Sequence, residues 1–263
     1  MSRMKKRHAE ILEVLARDGQ VNAAELANTL NASRETIRRD LNKLAEEGHL
    51  IKTHGGAVIP EINTSLFVPV KARERVNFAE KQALCRHIAK VIKEYDTIFL
   101  DNSTTILQLL QYVPRQFSLT FITNSIRLLG EFSTLNVRNW NVVLLGGVLD
   151  YETYSSNGHL TIGNLENFRP NKAFISCRGI NEDLTVGDNR IDDAELKKHI
   201  VQKCKETYLL ADSSKLPRDS VVKIGNASDF HMIITNENAD PLFISHLISN
   251  DCQVQIAPFY KEL

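Results

Sequence analysis

The sequence predicts an α/β protein in two parts, a small helical module that closes with a hairpin and a larger open sheet of parallel strands. Three observations carry this. In roughly the first sixty residues, apolar side chains recur three and four apart in short stretches separated by turn signals. From Thr97 onward, short apolar runs end in small or polar residues and alternate with helical patterns. Between the two lies a stretch containing Pro60 and Pro69 with no sustained periodicity, which reads as a linker.

In the first part, Ile11, Leu12, Val14 and Leu15 give a helical stripe that Asp18-Gly19 stops. Asn22 stands three residues before Glu25, a capping-box spacing that starts a short helix through Leu26 and Leu30. After the turn Asn31-Ala32, Ser33 is a good N-cap for a third helix. Ile37, Leu41 and Leu44 recur at i, i+4 and i+7 and form its buried stripe, so Glu35, Thr36, Arg38, Arg39, Asn42 and Lys43 project from the opposite half. Gly48 ends that helix. "HLIKTHGGAVIP" follows as two extended runs around His54-Gly55-Gly56, whose glycines allow a positive-φ turn.

The chain has 263 residues with 32 basic and 32 acidic side chains, so any attraction to a polyanion has to be local. Residues 1 to 57 carry ten Lys or Arg against eight acids. Those bases gather at Arg3 to Arg7, Arg34 to Lys43 and Lys52 to His54, places that a compact fold can bring to one face. An apolar fraction of 43% and a charged fraction of 24% suit a soluble globular protein. No run approaches the ~18 apolar residues of a membrane span, and the N-terminus lacks a signal-peptide pattern, so a cytoplasmic protein without membrane contact is expected. Cys85, Cys177, Cys204 and Cys252 are far apart, form no C-x-x-C pair, and read as buried thiols; no metal site and no cofactor is expected.

Three helices and a hairpin, with the second and third helices joined by a short turn, describe a winged helix-turn-helix. Its third helix enters the DNA major groove, where arginine donates to guanine edges or phosphates. Similar triples also serve as interaction modules that bind no DNA. The residues Ser33-x-x-Thr36-Ile37-Arg38-Arg39-Asp40-Leu41, followed by "LAEEGHLIKTHGGAV", resemble the N-terminal signature of DeoR-type bacterial transcription regulators. The resemblance implies a recognition helix with Ser33, Arg34, Thr36, Arg38 and Arg39 near operator phosphates and bases; Lys43, Lys52 and His54 complete the expected DNA-binding set.

In the second part, Leu84, Ile88, Val91 and Ile92 mark a helix. "TIFLD", "LTFIT", "NVVLLGG", "KAFIS", "TYLLAD" and "HMIIT" then read as buried parallel strands of an open α/β sheet. Such sheets bind ligands beyond the carboxyl ends of their strands. "DNSTT", with Asp101, Ser103, Thr104 and Thr105, follows the first strand and is expected to open a helix whose N–H groups suit a phosphate. Thr123, Asn124 and Ser125 repeat the pattern after the second strand, Gly146 and Gly147 follow the third, and Arg178 and Gly179 the fourth. Asp212 to Lys215 ends a later strand with a carboxylate and a cation. Each alone is an ordinary strand-end turn; together they indicate a shared anion-binding crevice.

This region, too, resembles the DeoR family, whose C-terminal domain is similar to phosphosugar isomerases such as ribose-5-phosphate isomerase and commonly senses a phosphorylated sugar. The family's first loop has glycine where this chain has Ser103, a departure that bears on how closely backbone approaches a phosphate. "NRIDDAELKKH" supplies Asp192, Asp193 and Glu195 before Lys197, and "DNSTT", "SCRGI" and "DNRID" lean towards the L-fucose operon activator branch. The resemblance implies a DNA-binding module at 1–58, a linker at 59–78 and a phosphosugar-sensing domain at 79–263. It implies a transcriptional regulator of a carbohydrate operon that is not an enzyme. A dimer or tetramer on operator DNA is expected, because one short recognition helix reads too few base pairs and symmetric pairing doubles the site. An isomerase-like enzyme using Asp101, Asp193, Lys197, Asp212 and Lys215 is the alternative.

Overall fold

The computed structural model describes residues 3–18, 20–47, 49–53, 55–58 and 70–259. The chain divides into two compact units, Met1–Phe78 and Ala79–Leu263.

The first unit starts with α1 (Arg3–Asp18), β1 (Gln20–Asn22) and α2 (Ala23–Thr29). Asn22 caps α2, its side chain accepting from the Ala24 N–H at 2.8 Å. That bond is an Asx-type cap; among the described residues Glu25 does not return a bond to close the expected box. Asn31, at φ 51°, turns the chain into α3 (Arg34–Glu46), which Ser33 caps by accepting from Thr36 N–H at 3.1 Å. The hairpin is β2 (Ile51–Lys52) and β3 (Gly56–Val58), and β1 pairs with β3 to make a three-stranded sheet in the order β1-β3-β2. Three residues are too few to show a period, so β1 left no sign in the sequence.

The hairpin glycines act differently from expectation. Neither Gly55 nor Gly56 has a positive φ; a Cβ on Gly56 would lie 1.8 Å from the Val21 carbonyl oxygen, so glycine is there to let β3 approach β1. Ile11, Leu15, Leu26, Ile37, Leu41 and Leu44 form the core. The stretch read as linker contains α4 (Val70–Arg75), with Val70 buried and Val76 packed on this core, because Val70 and Val76 supply apolar anchors that the prolines upstream obscure. Gly48, His54 and most of the hairpin-to-α4 stretch lie outside the described residues.

The second unit opens with α5 (Phe78–Ile88), a 3-10 turn at Ala89–Val91, and β4 (Thr97–Leu100). A 3-10 segment (Ile106–Gln111) leads to β5 (Leu119–Thr123), α6 (Ile126–Leu135) and β6 (Trp140–Leu144). The hairpin β7 (Val148–Asp150) and β8 (Ser155–Asn157) precedes α7 (His159–Leu165) and β9 (Lys172–Ser176). Then come β10 (Gly179–Ile180), β11 (Thr185–Asp188), α8 (Ile191–Lys203), β12 (Glu206–Leu210), β13 (Val222–Asn226), β14 (Met232–Asn236), α9 (Pro241–Ser249) and β15 (Val254–Ala257).

The six expected strands and β15 form one parallel sheet, ordered β15-β14-β12-β9-β4-β5-β6. Alternate residues feed two cores. Phe99, Ile122, Ile175, Leu209 and Ile233 pack with Leu196 and Ile200 of α8 and Phe243 of α9; Ile98, Leu100, Phe121, Phe174 and Leu210 pack with Leu84 and Ile88 of α5 and Leu128 of α6. Both faces are covered, which explains why the strands are apolar throughout. From β4 the chain runs to β5 and β6 on one side, and from β9 to β12, β14 and β15 on the other. The order therefore reverses between β4 and β9, and the crevice of an open α/β sheet opens at such a switch point. The small antiparallel sheet β10-β11-β13 was not expected.

Candidate functional site

In the first unit, α3 presents Arg38 and Arg39 with side chains 67% and 78% exposed, on the half opposite Ile37, Leu41 and Leu44. Both lie against Glu35, at 3.1 and 3.3 Å, and the Arg38 guanidinium holds that carboxyl below the usual range. Arg34, Lys43 and Lys52 are exposed too, and Lys52 Nζ donates to Asn42 Oδ1 at 2.6 Å. Ser33 Oγ is 2.8 Å from Thr36 Oγ1, so part of these residues' bonding serves the cap.

Arg7 belongs elsewhere. Its guanidinium and the His8 ring, at 3.0 Å, bind the buried carboxylate of Asp40 on α3. Burial pushes the Asp40 carboxyl up, but the bonds from Arg7 and His8 outweigh it and leave it below the ordinary value. Asp40 was missed as a structural residue although its position is legible: with Ile37, Leu41 and Leu44 it completes an i, i+3, i+4, i+7 stripe, so a carboxylate there has to be buried and needs a cation.

In the second unit, Asp101 ends β4 at the switch point and is almost fully buried. Its Oδ1 accepts from the Ser103 N–H at 2.9 Å, and its Oδ2 accepts from the Ser176 N–H at 2.8 Å, joining the ends of β4 and β9. Lys197 Nζ sits 3.4 Å from Asp101 Oδ2 and donates to Asp188 Oδ2 at 2.8 Å. Burial disfavours the ammonium, yet Asp188, Asp101 and Asp193 together raise its pKa, so Lys197 stays charged. Asn102 donates from Nδ2 to Asp193 Oδ1 and to Ser155 Oγ, each at 3.0 Å. Burial pushes the Asp193 carboxyl up to about 6 despite Lys197.

On the other side of Ser176, Lys215 Nζ donates to the Ser176 hydroxyl at 2.7 Å and lies 4.0 Å from Asp212. Thr104 accepts from the buried Lys81 Nζ at 3.1 Å. Asp101, Ser103, Lys197, Asp212 and Lys215 are thus linked, directly or through Ser176, along the carboxyl edge of the sheet, and Thr104 follows Ser103 in the same loop. Lys81 was missed, yet it falls in line with Leu84, Cys85 and Ile88 on α5, another charge in an apolar stripe. Asp188 heads the "DNRID" motif but was not read as a site residue, and Ser155 comes from a short strand that carries no motif.

Other expected residues serve the frame. Thr123 Oγ1 donates to the Leu100 carbonyl at 2.7 Å, and Ser125 caps α6 by accepting from the Leu128 N–H. Thr105 is buried and its carbonyl accepts from the Cys85 thiol. The segment after it is a 3-10 turn, so the expected phosphate-facing α-helix is absent there. Gly146 and Gly147 have φ of +67° and +124°, and a Cβ on Gly147 would strike Thr161 of α7 at 2.0 Å. Gly179 lies against the Arg218 backbone, and Arg178 N–H donates to the Gly187 carbonyl at 2.8 Å. Asn124 donates to the Ser156 carbonyl at 3.1 Å, while its buried Oδ1 accepts nothing among the described residues.

Residues 7–63 match the DeoR-like helix-turn-helix domain and residues 76–237 the DeoR C-terminal sensor domain. The chain belongs to the DeoR family. It is 34% identical to the uncharacterized HTH-type transcriptional regulator YulB of Bacillus subtilis, across 97% of this chain and 98% of that one. To the glycerol-3-phosphate regulon repressor of Escherichia coli it is 28% identical, across 88% and 90%. Ribose 5-phosphate isomerase A of Methanocaldococcus jannaschii superposes on 55% of the chain, and on 55% of its own, at a TM-score of 0.40 and 14% identity.

Within a DeoR-family sensor domain, the serine at position 103 replaces flexibility with a bond. Its hydroxyl accepts from the Ile106 N–H at 3.2 Å, and its backbone is not in the positive-φ region. The loop is thereby fixed by side-chain capping in a conformation that needs no glycine. Among the described residues no helix is long and apolar enough to cross a membrane.

Proposed function

We propose that this DeoR-family chain is a cytoplasmic, sequence-specific DNA-binding regulator of a carbohydrate-utilisation operon, acting as a homo-oligomer and controlled by a phosphorylated sugar at the carboxyl edge of the parallel sheet. The observation that carries the effector reading is Asp101 at the switch point, with Lys197 on its carboxylate and Lys81 beside it on Thr104. Ammonium and hydroxyl groups serve a phosphate, while Asp193, Asp212 and the unsatisfied Asn124 Oδ1 serve sugar hydroxyls. Relatives named as repressors of the glycerol-3-phosphate regulon and of the lactose phosphotransferase system support a phosphorylated or phosphotransferase-linked carbohydrate as the class. In the helix-turn-helix, Ser33, Arg34, Thr36, Arg38, Arg39, Lys43, Lys52 and His54 are the DNA-facing set.

A second reading, sugar-phosphate isomerisation, is favoured by one observation: Asp193, pushed up to about 6 beside a charged lysine, has the pKa of a general base. A thermal-shift screen separates the two. A ligand specific for the folded state at a hundredfold excess over Kd stabilises it by about 2.7 kcal/mol. One sugar phosphate is expected to raise the melting temperature while its parent sugar does not, to change operator affinity in a gel shift, and to be recovered unchanged. Isomerisation of that compound would favour the enzyme. No response to any phosphosugar, with Lys215→Ala silent in DNA release, would sink the sensor.

A further inference from the structure

A groove of about 720 Å³ opens at the amino ends of β9 and β12, the edge of the parallel sheet opposite the crevice. The last turns of α8 form one wall and the segment from α7 to β9 the other. Its size is that of an ordinary small-molecule site.

Part of the lining is spent on the fold. Asn171 Nδ2 donates to Asp96 Oδ1, and its Oδ1 accepts from the Thr97 N–H, each at 2.7 Å. The Cys204 thiol donates to the Pro170 carbonyl at 3.3 Å. Lys203 Nζ donates to the Glu166 carboxylate at 2.8 Å and to its carbonyl at 3.0 Å, so this lysine cancels the one acid in the lining and answers the carbonyl end of α7.

The rest of the lining is uncommitted. Arg169 and Lys205 are exposed, and neither side chain meets a carboxylate among the described residues. The Glu206 N–H donates to the Asn171 carbonyl at 3.3 Å, which brings the residues that lead into β9 and β12 side by side. His199 and Gln202 stand at i and i+3 on α8, on the face that carries Lys203, and their side chains also bond nothing among the described residues.

Two open cations in a concave site call for two negative charges. A phosphate monoester carries about −1.5 to −2 near neutral pH, and a guanidinium takes two of its oxygens at once. The groove is far larger than a bare phosphate ion, and its neutral groups, the His199 ring and the Gln202 amide, have donors and acceptors for an organic part. We propose that this groove binds a phosphate monoester, with the phosphate on Arg169 and Lys205 and the organic part against His199 and Gln202. The site lies at the other edge of the sheet from Asp101 and Lys215 and does not depend on what the crevice binds.

Isothermal titration of the full chain with AMP, glucose 6-phosphate and inorganic phosphate tests this and distinguishes a nucleotide from a sugar as the carrier. At least one ester is expected to bind with a Kd below about 1 mM, and inorganic phosphate about tenfold more weakly. Arg169→Ala and Lys205→Ala are each expected to weaken that ester about tenfold, the loss of one charge-assisted bond. Both side chains are exposed, so circular dichroism and melting temperature should stay unchanged. Lys198→Ala, an exposed charge on α8 outside the groove, should leave the affinity as it is. The assignment is overturned if neither ester binds, if inorganic phosphate binds as tightly as the esters, if both groove variants bind like the wild type, or if Lys198→Ala weakens binding as much as they do.

Discussion

Lys197 Nζ lies 3.4 Å from Asp101 Oδ2, so one buried ammonium on α8 holds the carboxylate that ends β4. Asp188 shares the same charge at 2.8 Å. Replacing Lys197 by Met keeps the volume but takes the cation from the buried Asp101 carboxylate and the half-buried Asp188 one. Breaking a buried pair from one side costs about 3–5 kcal/mol. The urea midpoint of the Lys197→Met chain should fall accordingly, and a loss below about 1 kcal/mol would show that water, not Lys197, satisfies those acids.

Asp193 gives a pH dependence of known sign. Burial raises its carboxyl to about 6 from an ordinary value near 4. Between those values the native chain holds a proton that the unfolded chain has lost. Its contribution to stability is complete below pH ~4 and disappears as pH rises through about 6. Asp193→Asn should therefore stabilise the chain at pH 7.5 by up to roughly 2–3 kcal/mol, with the gain gone by pH 4. Melting curves across that range check it; a difference independent of pH would assign the effect to lost contacts with Arg190 instead.

For α3, Arg38→Ala and Arg39→Ala should each weaken operator binding. A base contact is worth ~1–3 kcal/mol, whereas a phosphate contact shows as a salt slope reduced by about one. Gel shifts at several salt concentrations distinguish these, and unchanged affinity in both folded variants would mean that α3 does not read this DNA.

Asp40 should matter for folding of the first unit before it matters for DNA. Its lowered carboxyl contributes stability that is present above the ordinary carboxylate value and lost as pH falls through its lower folded value. Asp40→Asn should destabilise that unit's calorimetric transition by about 2–4 kcal/mol at pH 7, towards the lower end for a buried pair because Arg7 keeps some solvent contact. The deficit should close on acidification below the ordinary carboxylate value. A deficit that persists there would point to shape rather than charge.

The parallel strands were legible because two covered faces leave no polar alternation to confuse them. β15 escaped for the complementary reason: it is an edge strand whose Gln255 and Ile256 are exposed, so it lacks the uniform apolar run. Asp101 and Lys215 were legible as polar residues after strands and Lys197 through the family resemblance of "NRIDDAELKKH", and the structure links them. Their bonding partners were not, since Ser176 and Asp188 come from other strands and only the fold brings them close. Lys81 and Asp40 were available in principle, each a charge on a helix's apolar stripe, which folding tolerates only with a partner. Gly56 was identified as necessary for the wrong reason, because close approach of two backbones leaves no trace in the residues on either side.

The carboxylate that closes two strand ends at once makes Asp101 a position where loss of binding and loss of architecture arrive together, because removing it also frees the Ser103 and Ser176 N–H groups.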